Sequence, residues 1–334
     1  MDNLVKKALE LGGTLVPLII NSKHTGGTGL CNPSIYLDGD DLLVNIRNVN
    51  YMLYHSEGDK RFESRWGPLT YMHPENDSTL RTKNFVCKLD AKYNIKSYAR
   101  VNTAKYDTKP TWTFIGLEDG RLVRWNNKLY LSGVRRDTKP NGEGRIELSQ
   151  IECKFDPECE TCSAATEISR TRIEPPSDPE SYCEKNWMPI LDMPYHYVKW
   201  VNKTEVVKVD PTTKTSKTVH LSDKYIDVPR DLRGSSQVLS IGEYKMCITH
   251  EVYHGKNEAG LKNGTYYHRF VFWDKDWNIV KITNPFSFMT AKIEFCCGAA
   301  IYNNKLVISF GFQDNAAYLV DVPISKLEEL INAI

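Results

Sequence analysis

The stretch Gly116-Leu117-Glu118-Asp119-Gly120-Arg121, with residues 122–136 that follow it, decides how the rest of the chain is interpreted. After the acidic turn, apolar residues on either side of Asn126-Asn127 predict a strand, a two-residue turn and a second strand. That second strand ends in Arg135-Arg136. One hairpin therefore carries two carboxylates at its entry and two cations at its exit. Such a charged turn is compatible with a structural salt bridge, or with a site that moves a proton and binds an anion.

The same hairpin pattern recurs along the chain. A polar entry, a strand, a turn rich in Gly, Asp or Asn, and a second strand begin near residues 32, 118, 184, 235 and 295. Repeated β-units of this size are typical of a propeller. We therefore predict an all-β fold, a five-bladed β-propeller with short N- and C-terminal helices. Residues 1–334 would form a single domain, with the strand beginnings around a central pocket.

The composition is that of an ordinary globular protein. The chain has 334 residues, of which 41% are hydrophobic and 25% are charged, and its formal net charge is +1. A charge this close to zero argues against a general nucleic-acid or anionic-membrane surface. The sequence has no apolar run of about 18 residues, and its first residues lack the apolar core of a signal peptide. We expect a cytoplasmic protein with no nucleic-acid partner and no membrane partner.

The cysteines favour a reducing compartment. There are nine, and several lie inside apolar strand-like runs, as buried free thiols do. Cys153, Cys159 and Cys162 are close in sequence, and Cys183 or a histidine could complete a zinc site. Because a single C-x-x-C pair is present, we expect no metal there. Asp274-Lys275-Asp276 has the letters of a metal-binding Asp-x-Asp motif, but it lies in a predicted turn.

Both ends of the chain are predicted to be helical. The first helix, residues 3–11, has an apolar face made by Leu4, Ala8, Leu9 and Leu11. The last helix, residues 325–334, begins at a capping box formed by Ser325 and Glu328. Its apolar face is expected to pack on the outside of the propeller or against a second subunit. The second arrangement would give a homo-oligomer through the terminal helices.

Together these blocks resemble the five-bladed β-propeller family of inverting β-mannoside phosphorylases and related β-mannosyltransferases. The resemblance extends over roughly residues 30–322, as short blocks. Residues 116–121 are similar to a family pattern of Gly-x-Glu-Asp-Pro-Arg, although Gly120 replaces the proline. Residues 184–187 resemble a block of the third blade whose lysine helps to bind phosphate. Gly298-Ala299 with Gly311 resembles the last blade.

The resemblance implies an enzyme that breaks or forms β-mannosides by inverting phosphorolysis, with a small sugar or an oligosaccharide as substrate. Inorganic phosphate or a sugar phosphate would be the co-substrate, and no further cofactor is implied. In this reaction phosphate is the nucleophile, so the site needs cations to hold it. Asp119 would be the general acid. We expect Glu118 to orient Arg121 or to bind a sugar hydroxyl. The expected sugar-binding residues are Asn32, Arg47, Glu118, Arg121, Asn186 and Asp314. The expected phosphate-binding residues are Arg135, Arg136, Lys185 and His250, and Arg47 is a further candidate.

Two other functions fit the same residues. A glycosyltransferase that uses a nucleotide sugar would hold a diphosphate with the same cations. A non-catalytic glycan-binding propeller would use the pocket to bind a sugar without turnover.

Overall fold

The computed structural model describes residues 2–53, 60–62, 69–72, 79–156, 163–176, 181–256, 258 and 262–334. Strands dominate these residues and the helices are short, so the predicted all-β class is confirmed. In this part of the chain no helix has both the length and the apolar character needed to cross a membrane. Cys159 and Cys162 lie outside the described residues, and the expectation for the cluster they form with Cys153 stays a prediction.

Most of the described strands belong to five units whose strands pair antiparallel, and the last strands of the first two units, Ile95–Asn102 and Ala164–Arg172, pair in parallel and join those units into one sheet. Unit 1 consists of Gly29–Asp38, Asp41–Val49, Leu80–Leu89 and Ile95–Asn102. Unit 2 consists of Leu117–Trp125, Lys128–Arg135, Arg145–Lys154 and Ala164–Arg172. Unit 3 consists of Met188–Pro189, His196–Trp200, Glu205–Asp210 and Thr215–Leu221. Unit 4 consists of Arg233–Gly234, Leu239–Ile241, Tyr244–Lys256, Lys262–Trp273 and Ile279–Ile282. Unit 5 consists of Glu294–Tyr302, Lys305–Phe312, Ala316–Pro323 and, from the start of the chain, Leu15–Pro17.

The remaining described elements are short. Strand Asp2–Asn3 pairs with Phe286–Ser287 at the edge of unit 4, and Phe114–Ile115 pairs with the start of Leu80–Leu89. A small separate sheet contains Met52–Leu53, Lys60–Phe62 and Leu69–Met72. The helices are α1 (Leu4–Glu10), α2 (Ser22–Thr25) and α3 (Leu327–Ala333), and the 3-10 turn Ile324–Lys326 leads into α3.

Tight asparagine turns join the first two strands of units 2 and 5, as the sequence predicts. Both residues of Asn126-Asn127 and of Asn303-Asn304 have positive φ, between 48° and 62°. Positive φ at both central positions is the property of a type I′ turn, whose twist matches that of the flanking strands. Asparagine adopts this conformation more readily than most residues that carry a side chain. The local sequence therefore specifies these hairpins.

Apolar clusters fill the spaces between successive units. They pack unit 1 against unit 2, unit 2 against unit 3, unit 3 against unit 4, unit 4 against unit 5 and unit 5 against unit 1. Between units 2 and 3, for example, the Trp125 and Tyr197 rings meet edge to face with centroids 5.3 Å apart. Burying a large apolar side chain contributes about 1.5–3 kcal/mol, so these interfaces are the main source of stability.

The side chain of Gln237 connects four of the units. Its Nε2 donates to the carbonyl oxygen of Leu122 at 2.9 Å, and to Ser34 Oγ and the carbonyl oxygen of Ile35 at 3.1 Å each. Its Oε1 accepts from the backbone N–H of Ala299 at 3.1 Å. Gln237 is fully buried between the two short opening strands of unit 4. The first strands of units 1, 2 and 5 therefore converge on the same point of unit 4.

The terminal helices pack on units 4 and 5 in one apolar cluster. The cluster includes Leu4, Val5 and Ala8 of α1 and Leu327, Leu330 and Ile331 of α3. Packing of the C-terminal helix on the body of this chain, one of the two expected arrangements, is therefore what the structure shows. The homo-oligomer through these helices stays a prediction, and the apolar residues of the C-terminal helix that suggested it are buried within the chain.

Two details of the terminal helices were predicted wrongly. Leu9 is 47% exposed, and Val5 takes its place on the buried face of α1. The capping box of Ser325 and Glu328 does not form, because the 3-10 turn precedes α3. The N-cap of α3 is Lys326, which makes no side-chain capping hydrogen bond.

Candidate active site

A cavity of about 230 Å³ lies beside the beginnings of the first strands of the units. Every unit, or the segment just before it, contributes a polar side chain to its wall. These side chains are Asn32, Arg47, Glu118, Asp119, Arg136, Lys185, Asn186, Arg233, His250 and Asp314. The structure thus brings together all the sequence-predicted site residues except Arg121 and Arg135.

Four of the lining residues have a left-handed backbone conformation. The φ angles are 44° at Asn32, 51° at Asp119, 63° at Asn186 and 51° at Asp314. Asn32 and Asp119 lie where the pairing register shifts, in bulges of the first strands of units 1 and 2. A bulge interrupts the alternation of side chains and re-aims one of them, and Asn and Asp tolerate positive φ. In different units, a residue with a left-handed backbone conformation therefore directs an amide or a carboxylate toward the cavity.

Arg47 organises the acidic side of the cavity. One terminal nitrogen, Nη1, donates to Asp119 Oδ1 at 2.9 Å, and the other donates to Glu118 Oε2 at 3.3 Å and to the Tyr51 hydroxyl at 2.6 Å. Asn32 Nδ2 donates to the same oxygen of Asp119 at 2.8 Å. The arginine is 6% exposed. A buried guanidinium with these partners fixes both carboxylates in place.

Glu118 contacts a different arginine from the one that the sequence suggested. We expected Glu118 to orient Arg121 or to bind a sugar hydroxyl, but its Oε2 is paired with Arg47. Its other oxygen, Oε1, is buried and has no hydrogen-bond partner within the described residues. A buried acceptor without a partner is costly, and a sugar hydroxyl could satisfy it.

The environments of the two cavity aspartates shift their pKa values in opposite directions. Burial raises the pKa of Asp119, but the charge of Arg47, the hydrogen bond from Asn32 and the charges of Arg121 and Lys185 together bring it below its ordinary value. Burial also raises the pKa of Asp314; Arg47 opposes this, and Asp119 and Glu118 raise it further, so it stays above its ordinary value. Carboxyls with divergent pKa values are the usual basis of acid and base assignments.

Units 4 and 5 supply an aromatic part of the wall. The His250 ring is stacked on Tyr266 with centroids 5.9 Å apart and meets Phe295 edge-on at 4.8 Å. Nδ1 of His250 lies 2.9 Å from Ser235 Oγ. Burial, aided by neighbouring positive groups, lowers the pKa of His250 well below its ordinary value, so the imidazole is neutral at pH 7. The aromatic surface suits the apolar face of a sugar ring, and His250 offers a hydrogen bond without a charge.

Three further cations line the cavity. Arg136 is held in place, because its Nε donates to the carbonyl oxygen of Gly142 at 2.9 Å and Nη2 donates to the Tyr182 hydroxyl at 2.8 Å. Lys185 and Arg233 are exposed, and their side chains have no hydrogen bond or ion pair with the described residues. Cations at a cavity that have no protein partner are available for an anionic ligand.

Two predicted ligands lie outside the cavity. Arg121 is buried and binds backbone: Nη1 donates to the carbonyl oxygen of Asp119 at 3.1 Å, and Nε donates to that of Ser235. Arg135 is buried in an ion pair with Glu147 at 2.6 Å, beside a separate cavity of about 370 Å³ between units 1 and 2. Both guanidinium groups are used inside the protein, so we no longer include them among the sugar and phosphate ligands.

Several lining residues were missed from the sequence. Arg233 directly precedes Gly234, which was identified as the start of the fourth unit. Its position just before that unit could have drawn attention to it. Tyr266 and Phe295 come from strands whose local pattern does not distinguish a wall residue from a core residue.

The metal alternatives gain no support from the residues that the structure describes. Burial raises the pKa of the free Cys153 thiol to about 12, against the opposing charge of Arg124. Asp274 Oδ1 accepts hydrogen bonds from the backbone N–H groups of Asp276 and Asn278 at 2.9 Å each, so it is used within the predicted turn. Across the described residues, no group of three or more His, Cys, Asp or Glu is placed to hold a metal ion.

No protein-family model and no curated protein sequence matches this chain. Solved structures do match it. The β-1,2-mannobiose phosphorylase of Listeria innocua, in complex with β-1,2-mannobiose, is similar with a TM-score of 0.51 and 12% sequence identity. The alignment covers 92% of this chain and 93% of that chain. A glycosyl hydrolase from Bacteroides ovatus is similar with a TM-score of 0.53 and 11% identity, over 89% of this chain and 85% of the other.

A third similar structure belongs to a study of the GH130 family of mannoside phosphorylases. Its description states that this family contains glycoside hydrolases that target β-1,2 mannosidic linkages in Candida mannan. The TM-score is 0.51 at 11% identity, over 90% of this chain and 85% of that chain. At these identities the likeness establishes a shared fold. It confirms, at the level of the fold, the resemblance to mannoside phosphorylases that the sequence blocks indicated.

Proposed function

We propose that this chain is a carbohydrate-active enzyme that cleaves and forms β-mannosides by inverting phosphorolysis. One observation carries the proposal. The cavity combines the Arg47–Asp119 pair with two exposed cations, Lys185 and Arg233, that have no side-chain partner among the described residues. Free cations are what a site needs when phosphate is the nucleophile. The fold shared with a β-1,2-mannobiose phosphorylase supports mannose as the transferred sugar.

We also propose that the five units are the blades of a five-bladed β-propeller that forms one catalytic domain. The support is the apolar packing of each unit on the next, including unit 5 on unit 1, and the hydrogen bonds of Gln237 to three other units. In a propeller the innermost strands surround a central channel. The cavity at the beginnings of these strands would then lie on the propeller axis.

The proposed reaction breaks one bond at the sugar C1 and forms another. A phosphate oxygen attacks C1 on the face opposite the leaving group, and the bond to the glycosidic oxygen breaks as that oxygen takes a proton from an acid. A β-mannoside gives α-mannose 1-phosphate and a shortened sugar. The family resemblance assigns the proton to Asp119. Inorganic phosphate, or a sugar phosphate in the reverse direction, is the co-substrate, and the step requires no other cofactor.

The lining residues divide into two groups in this proposal. Lys185, Arg233 and Arg136 hold the phosphate. The charges of Lys185 and Arg233 are available to a ligand, and the guanidinium of Arg136 is fixed at the cavity wall. Asn32, Asn186, Glu118 and Asp314 bind sugar hydroxyls, and Tyr266 with Phe295 packs on the ring. His250 donates a hydrogen bond as a neutral imidazole. The described cysteines are free thiols, which agrees with the cytoplasmic location that we propose.

A donor test in the synthetic direction examines this proposal. The purified protein is incubated with mannose 1-phosphate, or separately with GDP-mannose, plus a mixture of simple sugar acceptors, and released phosphate and nucleotide are followed by phosphorus NMR. We expect phosphate release from mannose 1-phosphate. We also expect Asp119→Asn to abolish it and Asp276→Asn, a change of an exposed aspartate in a turn, to leave it unchanged.

Other results of the donor test would support one of the two alternative functions. GDP release without phosphate release from the sugar phosphate would replace the proposal with a nucleotide-sugar transferase on the same fold. Calorimetric binding of mannosides with no turnover of either donor would replace it with a non-catalytic glycan-binding protein.

A further inference from the structure

A second cavity, of about 370 Å³, lies between units 1 and 2. It has no lining residue in common with the active cavity that contains Asp119. Its wall combines apolar side chains, such as Val101, Leu117 and Leu131, with several polar ones. A volume of about 300–1,000 Å³ and a small number of placed polar groups in an apolar lining are typical of small-molecule sites. The proposed phosphorolysis leaves this cavity without a role.

Three polar side chains of the wall, each more than nine-tenths buried, have a hydrogen-bonding position that is not used. Arg135 donates from Nε to Glu147 Oε1 at 2.6 Å and from Nη1 to Asp137 Oδ2 at 3.3 Å, but Nη2 makes no hydrogen bond with a described residue. Asp137 Oδ1 accepts none from these residues. The Thr82 hydroxyl accepts from Arg47 Nε at 3.3 Å and donates to no described residue. Buried polar groups normally have partners, so these positions indicate a missing ligand.

The acceptor and the donor at Asp137 and Arg135 are held at fixed places. Asp137 Oδ2 accepts from the backbone N–H of Gly116 at 2.9 Å. The carbonyl oxygen of Asp137 accepts from the backbone N–H of Thr111 at 2.9 Å and from its hydroxyl at 3.0 Å. Arg135 is the last residue of the strand Lys128–Arg135 and is in direct contact with Asp137. A ligand with two neighbouring hydroxyl groups would therefore meet a donor and an acceptor side by side.

The charges of the buried part of the wall do not suit an anion. Two arginines there, Arg135 and Arg170, form ion pairs at distances of 2.6–3.6 Å with a larger number of carboxylates, which are those of Asp107, Asp137, Glu147 and Glu167. The arginine charge is thus more than neutralised within the protein. A phosphate or a carboxylate ligand would be repelled by the excess of negative charge.

The exposed cations of unit 1 at this cavity, Arg81, Lys83 and Arg100, do not alter this conclusion. Successive strand residues point to opposite faces of a sheet. Phe85, which packs toward unit 5, shares the alternation of Arg81 and Lys83 and is paired with Arg100. Val101, the residue after Arg100, packs toward unit 2. The three side chains therefore lie on the face away from unit 2, where water and salt also weaken their charge.

Hydroxyl groups fit the unused positions better than other small ligands do. Across the part of the chain that the structure describes, no group of three or more His, Cys, Asp or Glu is placed to hold a metal ion. An ammonium ion cannot accept a hydrogen bond from Arg135 Nη2 or from the Thr82 hydroxyl. A hydroxyl group both donates and accepts, so it can bind the arginine and the threonine as well as the Asp137 carboxylate.

We propose that this second cavity binds a small neutral polyhydroxyl compound, a monosaccharide or a cyclic polyol, through Arg135, Asp137 and Thr82. One hydroxyl accepts from Arg135 Nη2, its neighbour donates to the Asp137 carboxylate, and a third accepts from Thr82. Arg135 lies outside the active cavity, so this role is separate from the sugar and phosphate binding proposed there. The inference does not depend on the proposed phosphorolysis.

Methyl NMR of the full chain tests for a ligand at this place. Leucine methyl groups are labelled with ¹³C. Leu131 lines the second cavity and not the active one, and its resonances are assigned with Leu131→Ile, while Leu330 in α3 serves as a remote control. Mannose, glucose and myo-inositol are titrated separately, with inorganic phosphate as the anionic probe. We expect at least one of the three polyols to shift the Leu131 methyl resonances saturably without moving those of Leu330. Absence of such a shift with all three, or a tighter response to phosphate than to any of them, would overturn the inference.

Variants at the wall show whether the shift reports binding in this cavity. Thr108 is exposed at the wall, so Thr108→Trp adds bulk there without changing the buried groups, and its exposed neighbour outside the wall gives the matched control Lys109→Trp. We expect Thr108→Trp to raise the Kd of the responding polyol about 10-fold or more and Lys109→Trp to change it less than about 2-fold. Asp137→Asn, which has the same shape, should raise it about 10-fold, because the carboxylate acceptor is lost.

Equal affinities in Thr108→Trp and Lys109→Trp would place the binding elsewhere and overturn the inference. Failure of the wild type in the donor test would overturn the proposed function, whereas the response of Leu131 and its loss in Thr108→Trp would still support the second site.

Discussion

The guanidinium of Arg47 in unit 1 donates to the carboxylate of Asp119 in unit 2 over 2.9 Å, inside a site where the arginine is 6% exposed. This pair joins the two units at the cavity, and the charge of Arg47 helps to bring the pKa of Asp119 below its ordinary value against the effect of burial. Asn32 and Tyr51 complete the arrangement, the first on the aspartate and the second on the arginine. A buried charge pair of this kind is sensitive to geometry, because each partner has left water.

Arg47→Lys should damage both activity and stability. Lysine retains the charge but cannot reach Asp119, Glu118 and Tyr51 simultaneously, because it lacks the planar fork of arginine. We expect kcat/KM for phosphorolysis to fall about 100-fold or more and the free energy of unfolding to fall by about 1–3 kcal/mol. Enzyme assays and denaturant titration measure the two effects, with Arg100→Lys at an exposed position as the matched control. Wild-type activity in Arg47→Lys would exclude this pair from the site.

Gln237→Leu should destabilise the protein although Gln237 is not a residue of the cavity wall. The change removes a buried amide whose two N–H hydrogens are shared among three acceptors and whose oxygen accepts one hydrogen bond, and it leaves these partners in units 1, 2 and 5 without the amide. We expect a loss of about 3–5 kcal/mol in the free energy of unfolding, measured by urea titration. The control Gln150→Leu, where a half-buried side chain accepts from Ser169 at 3.3 Å, should cost less than about 1 kcal/mol. Equal losses in the two variants would show that Gln237 does not link the units.

Neutral variants of Lys185 and Arg233 should raise the KM for phosphate more than they raise the KM for the mannoside. We expect Lys185→Gln and Arg233→Gln each to raise the KM for inorganic phosphate about 10-fold or more, because each removes a charge-assisted hydrogen bond. The KM for the mannoside should change less than about 3-fold. Initial rates at varied phosphate concentration measure this, and Lys224→Gln, at an exposed position away from the cavity wall, is the control. A phosphate KM unaffected in both cavity variants would remove phosphate from this part of the site.

His250 should stay neutral across the range in which an ordinary histidine titrates. Its folded-state pKa is lowered, first by burial, so between that value and about 6.5 the folded state binds fewer protons than the unfolded state. The stability contributed by the neutral ring is thus full above about pH 6.5 and is lost as the pH falls through this window. Proton NMR of the imidazoles from pH 8 to pH 5, with His250→Gln for assignment, should show no charging of His250. A normal titration near pH 6.5 would instead make it a phosphate-binding cation.

Asp314→Asn should become more stable than the wild type as the pH rises. The raised pKa of Asp314 means that the folded state retains a proton that the unfolded state has lost, so this group's contribution falls as the pH rises through the folded-state value. Asparagine cannot ionise and avoids this loss. We expect the free energy of unfolding of the variant, relative to that of the wild type, to be larger at pH 8 than at pH 5, by urea titration at both values. A variant that is less stable at pH 8 than at pH 5, relative to the wild type, would contradict the raised pKa.

The repeated hairpins could be predicted because their signals are local. An Asn-Asn pair between apolar runs specifies a turn with two positive φ angles wherever it occurs. The polar residues at the strand beginnings could be located for the same reason, and Asn32, Asp119, Asn186 and Asp314 do line one cavity. Helix starts were less predictable. The capping box predicted from Ser325 and Glu328 does not form, because a 3-10 turn continues directly from the last strand.

The partners of the charged groups could not be predicted, because they depend on register and on the packing of distant units. Arg135 is the last residue of its strand and Arg136 directly follows it, so the sequence does not show which way either side chain points. One is buried against Glu147, while the other lines the cavity. Likewise, Asp119 meets Arg47, from another unit, more closely than the adjacent Arg121, whose guanidinium is used on backbone carbonyls. Arg233 enters the site from a two-residue strand too short to show any periodicity.

In the proposed function this cavity transfers mannose to phosphate with inversion. Its most direct test is to incubate the wild-type protein with β-1,2-mannobiose and inorganic phosphate and to follow the mixture by proton and phosphorus NMR. We expect α-mannose 1-phosphate and free mannose to form in equal amounts, and neither to form when phosphate is omitted. Release of mannose without any sugar phosphate would show a hydrolase, β-mannose 1-phosphate would show retention, and either result would contradict inverting phosphorolysis by this cavity.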